Sequence, residues 1–485
     1  MFEKHLDKDI LILGFGSEGQ SSLKMLRKEF PRKIIGIADK AEFSNLPTEV
    51  KEILKDDNLT KHHFGDAYLE ALDKYDVIVK TPGIPPCSPE IRRAKELGKI
   101  ITSQTKIFFE NVEQNQIIGI TGTKGKSTTT TLIYNMLKNA DIDAILVGNI
   151  GVPPLEALGT VSAGNSSDEA ISPETQTELP QPNGLAMTKS PFFVFEMSSY
   201  QLDELRFSPH ISIFLNAYED HLDYHGSFEN YISAKKNIFL HQDSNDYLII
   251  NNLFTDILPE RISSRVYTFS LNENLTNFGC FVKNNALIYK IGGEEEAITT
   301  TDHVALKGEF NLQNAMAAII ASKILGVNNE TIAKSLEEFI ALPHRIEGIG
   351  TYHGITFYDD SISTIPQATI AALQTLGENV ETLIMGGHNR GIDFSILGPE
   401  FTKRNIKNLI LFPDSGKNIW DTISRTNPSI KGFFVENMTD AIDIAFKNTD
   451  PGKICLLSPA SPSFGIFKNY QDRGNSFREE IEKYK

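Results

Sequence analysis

Ile117–Asn139 reads I-I-G-I-T-G-T-K-G-K-S-T-T-T-T-L-I-Y-N-M-L-K-N. The apolar run Ile117–Ile120 predicts a buried strand, Gly122–Gly125 a tight turn, and the residues from Lys126 onward a helix. Strand, glycine-rich turn and helix in that order build a phosphate-binding loop. Glycine lets the backbone approach an oxyanion, and the N–H groups of a helix start point at it. Gly122, Thr123, Lys124 and Gly125 would form the cradle, with Thr128 in the first helical turn. Lys126 would reach the β/γ-phosphates, and the Ser127 hydroxyl would hold Mg²⁺. The strict spacing of such loops is not met, because Ile120 stands where the leading glycine belongs.

Working outward, a chain of 485 residues predicts about three domains of roughly 150 residues each. With 40% hydrophobic and 23% charged residues the composition is that of an ordinary globular protein. A net charge of −16 argues against nonspecific nucleic-acid binding, though not against an anionic substrate held locally. Cys87, Cys280 and Cys455 lie far apart and form neither a disulfide framework nor a metal spacing, which fits a reducing cytoplasm. No signal-peptide core opens the chain, and no apolar run approaches the ~20 residues of a membrane span, so no membrane insertion is expected.

The first segment, 1–112, predicts a Rossmann-like unit. Asp9–Leu13 reads as a strand, followed by Gly14, Gly16 and Gly19, a helix through Arg27, and a second strand Lys33–Ala38 ending at Asp39. An acid about 20 positions after the glycines is where such a unit places a ribose contact. Tyr75–Lys80 reads as a further strand running into Thr81-Pro82-Gly83-Ile84.

The second segment, 113–342, begins after a polar linker. Following Gly148-Asn149-Ile150-Gly151, residues 159–190 are rich in Ser, Glu, Pro, Thr and Gln and predict an exposed insertion, structured or not. Two apolar strands, Phe192–Phe195 and Ile211–Leu215, deliver Glu196 and Asn216 at the carboxyl edge of a parallel sheet, where ligands bind. Glu196 offers hard oxygen to a divalent cation; its other reading is an N-cap partner or half of an ion pair. His221 and His225 share an H-x-x-x-H spacing, but the catalytic Glu of a zinc helix is missing, and His225 reads as a surface-loop residue. The third segment, 343–485, alternates strands with helical patterns at Ile365–Leu376 and Met438–Phe446 and predicts another parallel α/β domain.

These residues carry a resemblance. G-I-T-G-T-K-G-K-S-T, G-N-I-G, F-E-M-S-S-Y-Q-L, N-A-Y-E-D-H-L-D, Y-I-S-A-K-K-N-I-F, F-N-L-Q-N-A, L-P-H-R-I-E and D-D-S are together similar to the Mur ligase family, in the same order and over nearly the whole chain. The front segment with T-P-G-I and the ending Ser458–Phe477 resemble its glutamate-adding branch.

The resemblance implies an ATP-dependent ligase joining glutamate to UDP-N-acetylmuramoyl-L-alanine through an acyl phosphate, in the cytoplasm and as a monomer. It implies that Lys126 neutralises the γ-phosphate, that Ser127 and Glu196 hold one Mg²⁺, and that His221 ligates a second. Lys235, in Y-x-x-A-K, matches a lysine that is carbamylated; read alone, it is a solvated helix residue with Lys236 as a rival. Asn311 and Asn314 would meet the adenine side, and Arg345 and Asp360 would close on the nucleotide. Gly16, Ser17, Asp39, Lys40, Thr81 and Gly83 would hold the uridine end, Asn149 the muramoyl-alanine arm, and Ser463, Tyr470 and Arg390 the incoming glutamate. Two departures stand in that last pocket, where Ile362 and Arg390 replace the usual lysines. D-glutamate is the expected substrate and L-glutamate the alternative. A folate polyglutamate synthetase would share the core chemistry, but the Rossmann-like front speaks against it. A relative that only binds nucleotide would not need Lys126, Glu196, His221 and Lys235 together.

Overall fold

The computed structural model describes residues 7–46, 48–86, 88–164, 190–272, 278–306, 308–340, 343–389 and 392–485. Arg390 and the larger part of the 159–190 stretch lie outside the described residues. The chain divides into two compact units. One is Met1–His303 with Gln313–Leu336, and the other is Val304–Leu312 with Glu337–Lys485.

The first unit carries two sheets. Strands β1 (Ile10–Leu13), β2 (Ile35–Asp39), β3 (Thr60–Phe64), β4 (Val77–Lys80) and β5 (Ile100–Thr102) form an all-parallel sheet in the order β3-β2-β1-β4-β5. β1 and β4 are buried along their whole length, as apolar runs in the middle of a parallel sheet must be. β3 reads T-K-H-H-F, which carries no apolar run, so pairing with β2 and not its own pattern makes it a strand.

The second sheet holds β6 (Ile117–Thr121), β7 (Ala144–Gly148), β8 (Phe192–Glu196), β9 (Ile211–Phe214), β10 (Tyr247–Asn251), β11 (Arg265–Ser270), β12 (Phe278–Lys283), β13 (Ala286–Ile291) and β14 (Glu294–Thr300). Its order is β14-β13-β12-β11-β10-β9-β6-β8-β7. Pairing is parallel from β7 to β12, and β13 and β14 close the edge as an antiparallel meander.

One apolar core serves both sheets. Phe108, on the helix Gln104–Phe109, is fully buried and meets Phe193 and Phe195 of β8 edge-on at 5.1 and 5.4 Å. Burying one such ring contributes about 1.5–3 kcal/mol, and the edge-on geometry adds to it.

The expected insertion begins within a helix. The helix Pro154–Gly164 runs into it, so residues 159–164 are helical. Its opening turn is anchored by Leu155, Ala157 and Leu158, all buried in the shared core.

The second unit carries β15 (Glu347–Tyr352), β16 (Ile355–Asp359), β17 (Val380–Gly387), β18 (Asn408–Asp414), β19 (Lys431–Phe434) and β20 (Ile454–Leu457) in the order β15-β16-β20-β17-β18-β19. All pairs are parallel except β15 with β16. The helices Pro366–Leu376 and Met438–Asn448 fall where the apolar periodicity puts them. Among the described residues no helix is long and apolar enough to cross a membrane.

Candidate active site

β6 is buried at all five positions and ends beside the loop Gly122–Gly125. The helix Lys126–Asn139 starts with Gly125 as its N-cap at φ +87°. L side chains rarely adopt that region, and a Cβ there would lie 2.2 Å from Asn314 Oδ1. Position 125 therefore requires glycine on two counts.

The loop is braced from β9's end. Asn216 Oδ1 accepts from Lys124 N at 2.9 Å, its Nδ2 donates to Lys124 O at 3.0 Å, and its carbonyl accepts from Thr123 N at 3.0 Å. The Thr123 hydroxyl meets the Tyr231 hydroxyl at 2.8 Å and accepts from Tyr218 N at 2.9 Å.

Two lysines converge on one carbonyl of this loop. Lys126 Nζ donates to Gly122 O at 2.9 Å and to Thr123 O at 3.2 Å. Lys235 Nζ donates to the same Gly122 O at 3.0 Å and to Thr121 Oγ1 at 3.2 Å. Lys235 is 1% exposed, so the solvated-helix reading is corrected. The helix Phe228–Lys236 turns this residue inward, against the Tyr231 ring at 4.9 Å. Burial, and then the nearby Lys126 charge, push its pKa well below the usual lysine range. Lys236 is half-buried.

Glu196 ends β8 and is 3% exposed. Its Oε2 is buried with no hydrogen-bond partner. Neither the N-cap nor the ion-pair reading applies to that oxygen among the described contacts. The hydroxyls of Thr128 and Thr129, in the first helical turn, are buried and unpartnered as well, while Ser127 is half-buried.

His221 sits at φ +55°, with Nδ1 2.6 Å from the Tyr200 hydroxyl and Nε2 3.6 Å from Asp220 Oδ2. His225 is corrected from a surface-loop residue. It is 8% exposed, its Nε2 lies 3.0 Å from Ser199 Oγ, and it stacks on Tyr200 at 5.8 Å. One helical turn, Leu222–His225, carries the ring inward. Asn149 is exposed beyond β7, and Asn314 is buried on the helix Glu309–Ile324. Asn311 lies one turn earlier on that helix and is half-buried.

At the front sheet, Gly14 has φ +92°, and a Cβ there would lie 2.0 Å from Thr81 Oγ1, so the loops after β1 and β4 touch. Gly16 caps the helix Ser17–Glu29, and Gly16, Ser17, Lys40 and Gly83 are exposed. The Asp39 carboxylate accepts from Phe15 N at 2.6 Å and Ala41 N at 2.8 Å. It shapes the glycine loop directly, which the ribose-contact reading did not include.

In the second unit, Asp360 follows β16, is buried, and accepts from Ser458 Oγ at 2.7 Å. Burial raises its pKa to about 6 against the pull of hydrogen bonds from Ser363 and Ser458 and of the Arg345 charge. His344, Glu347 and Asp359 cluster nearby but are engaged with one another and with Arg478. Ser463 is buried, and the Tyr470 ring lies edge-on to His344 at 6.1 Å.

Sequence reasoning missed Arg473, which is 0% exposed. Its guanidinium donates to Ser361 O at 2.8 Å, Ser361 Oγ at 3.0 Å, Ser461 O at 3.1 Å and Gly386 O at 3.4 Å. It thus ties together the end of β17 and the loops after β16 and β20. Burial lowers its pKa to about 9, against the nearby Asp359 and Asp360 charges, so it stays a cation at neutral pH. Only the R in Q-D-R-G-N-S-F could have signalled it, and a lone helix arginine reads as solvated. Arg473→Ala should destabilise this unit by about 3–5 kcal/mol, because truncation strands buried carbonyls and carboxylates. Calorimetry checks this, and a loss under about 1 kcal/mol would contradict it.

A phosphate loop flanked by a buried acid at a neighbouring strand end, a histidine beyond the next strand and a buried lysine on a helix defines a nucleotide-dependent enzyme of the α/β class. Residues 120–322 match the Mur ligase middle domain, and residues 344–461 match the Mur ligase glutamate ligase domain. The UDP-N-acetylmuramoylalanine--D-glutamate ligase of Acetivibrio thermocellus is 32% identical, covering 99% of this chain and 97% of its own. The protein of that name from Listeria monocytogenes is also 32% identical over the same shares. Among solved structures, the UDP-N-acetylmuramate-alanine ligase of Thermotoga maritima has TM-score 0.57 at 19% identity, covering 99% of this chain and 100% of its own. MurF from Acinetobacter baumannii has TM-score 0.59 at 15% identity, covering 97% and 93%; at such identities the likeness speaks to fold alone. The chain belongs to the Mur ligase family and is an ATP-dependent ligase that forms a peptide bond.

Proposed function

We propose that this protein joins D-glutamate to UDP-N-acetylmuramoyl-L-alanine, in the cytoplasm and as a monomer, as a step of peptidoglycan precursor synthesis. The observation that carries it is the convergence of Lys126 and Lys235 on Gly122 O beside the buried, unpartnered Glu196 Oε2. The Lys126 cation in a glycine loop at a helix start favours a phosphate polyanion, and an orphaned buried carboxylate oxygen fits a hard divalent cation. The full-length likeness to relatives named for D-glutamate supports the choice of substrates.

In this reading the substrate's terminal carboxylate attacks the γ-phosphate of ATP, ADP leaves, and an acyl phosphate forms. The glutamate amine then attacks the acyl carbon, loses a proton, and phosphate departs. Lys126 offsets charge on the phosphoryl oxygens, and the N–H groups of residues 125–128 orient them. Ser127, Glu196, His221 and a carbamylated Lys235 would hold Mg²⁺ at two sites, where it supplies further charge neutralisation. The Tyr200 hydroxyl at His221 Nδ1 supports Nε2 as the ligating nitrogen. Burial disfavours the charged form of Lys235 and so favours its amine as a nucleophile toward CO₂, forming the N–C bond of a carbamate and releasing a proton. Asn311, Asn314, Arg345 and Asp360 are assigned to the nucleotide and Asn149 to the muramoyl-alanine arm. Gly16, Ser17, Asp39, Lys40, Thr81 and Gly83 are assigned to the uridine end, and Ser463, Tyr470 and Arg390 to glutamate. We also take the chain as three domains, 1–112, 113–342 and 343–485, a division supported by one sheet falling within each.

Phosphate release measured with UDP-N-acetylmuramoyl-L-alanine and each glutamate enantiomer tests the proposal. The expected result is ATP-dependent release with D-glutamate at the higher kcat/KM. L-glutamate is the second reading, favoured by Ile362, which is half-buried and cannot pair with a carboxylate, and by Arg390, which prefers a planar two-point grip. A tenfold preference for L-glutamate would overturn the D-assignment.

A further inference from the structure

Glu18 lies in the first turn of the helix that follows the front glycine loop, and nothing above uses it. Its Oε1 accepts from Gln201 Nε2 at 3.1 Å. Its Oε2 is buried without a hydrogen-bond partner. Its main-chain carbonyl is held by Gln104 Nε2 at 2.5 Å and by Ser22 Oγ at 2.9 Å, so the turn cannot easily swing the carboxyl away. The cation facing it is Lys80, at the end of β4, which spends its hydrogens on Ile84 O at 2.7 Å and Thr81 O at 3.5 Å and not on the carboxyl. Asp203, Glu204 and Lys95 stand behind Lys80, and Lys95 is paired with Glu204 at 2.5 Å.

This turn is the one assigned above to the uridine nucleotide, and the inference rests on that reading. A pyrophosphate beside a buried carboxylate ion meets like charge at low dielectric. We propose that Glu18 is a proton-linked positioning residue: a pyrophosphate-bearing nucleotide binding at the Gly14–Gly19 loop takes up one proton from solvent onto the Glu18 carboxyl. The neutral carboxyl keeps the Gln201 bond and turns the orphaned Oε2 into a donor. Burial already raises the Glu18 pKa to about 7, so the proton is available near neutrality. The sign follows from linkage. A pKa raised further by the bound dianion means affinity falls as pH rises above about 7, at most about tenfold per unit.

Isothermal calorimetry of UDP-N-acetylmuramoyl-L-alanine binding, in two buffers of different ionisation enthalpy, counts the proton directly. The wild type should take up close to one proton near pH 8, and Kd should weaken several-fold between pH 7 and pH 8.5. Glu18→Gln should lose the larger part of that uptake and of the pH dependence, keeping at most the share that belongs to Lys80. Lys80 titrates downward with the same sign, since burial lowers its pKa to about 8, so Lys80→Met is the control and should keep the uptake. Wild-type binding without uptake, or uptake that survives in Glu18→Gln and vanishes in Lys80→Met, would overturn the inference and leave the proposed function standing. If the wild type binds neither this substrate nor UDP-N-acetylglucosamine at any pH, the reading of the front loop falls and this inference with it.

Discussion

Lys126→Ala should abolish ATP-dependent ligation while leaving the fold intact. The side chain is half-buried at the start of its helix, where in the proposed mechanism its charge would serve the phosphoryl oxygens and little of the core. Removing one preorganised donor from a charge-stabilising site costs about 10²–10³ in turnover, and the lysine is also the loop's point charge. The fold should survive because Gly122 O keeps its bond from Lys235 and Asn216 still braces Lys124. Phosphate release and thermal unfolding, measured side by side, separate the two effects. Retention of more than a tenth of wild-type turnover with normal melting would remove Lys126 from the mechanism.

The second large effect is expected at Lys235. Lys235→Met, which keeps the volume, and Lys235→Ala should both be nearly inactive, and Lys236→Ala should be mild. If the buried lysine works as a carbamate, Lys235→Ala leaves a space into which a short carboxylic acid can bring the missing anion. Added formate or acetate should then restore part of the activity of Lys235→Ala and none of Lys235→Met. The physical reason to single out Lys235 is its burial beside a second cation, which disfavours the charged form of the amine. An essential Lys236 with a dispensable Lys235 would show that the wrong member of the pair has been chosen.

The family relationship has a similar division of labour behind it. The phosphate loop was legible because its apolar strand, glycine turn and helix are consecutive, so local preferences alone imply the shape. Glu196 and Asn216 were legible because each is the polar residue that ends an apolar run. β1, β2 and β4 were found, with boundaries off by one or two residues, since apolar runs fray gradually at strand ends. β3 was not, because its T-K-H-H-F becomes a strand only by hydrogen bonding to β2. A pairing between segments some 20 residues apart leaves no mark on an edge strand's own pattern.

What the sequence by itself determined is the set of strand-end positions: a glycine-rich turn into a helix at Gly122–Thr128, an acid at 196, an asparagine at 216, and a glycine loop at 14–19. These follow from periods of two and 3.6 residues and from glycine, both local properties of the chain. The tertiary structure decided which of those residues meet and which are dry. It set Lys235 against Gly122 O, turned His225 under Tyr200, gave Asp39 to the backbone of its own loop, buried one carboxyl oxygen of Glu18, and buried Arg473 whole. Burial and like-charge proximity are sums over residues distant in sequence, and they alone convert an ordinary lysine, glutamate or arginine into one with a displaced pKa and a single place to act.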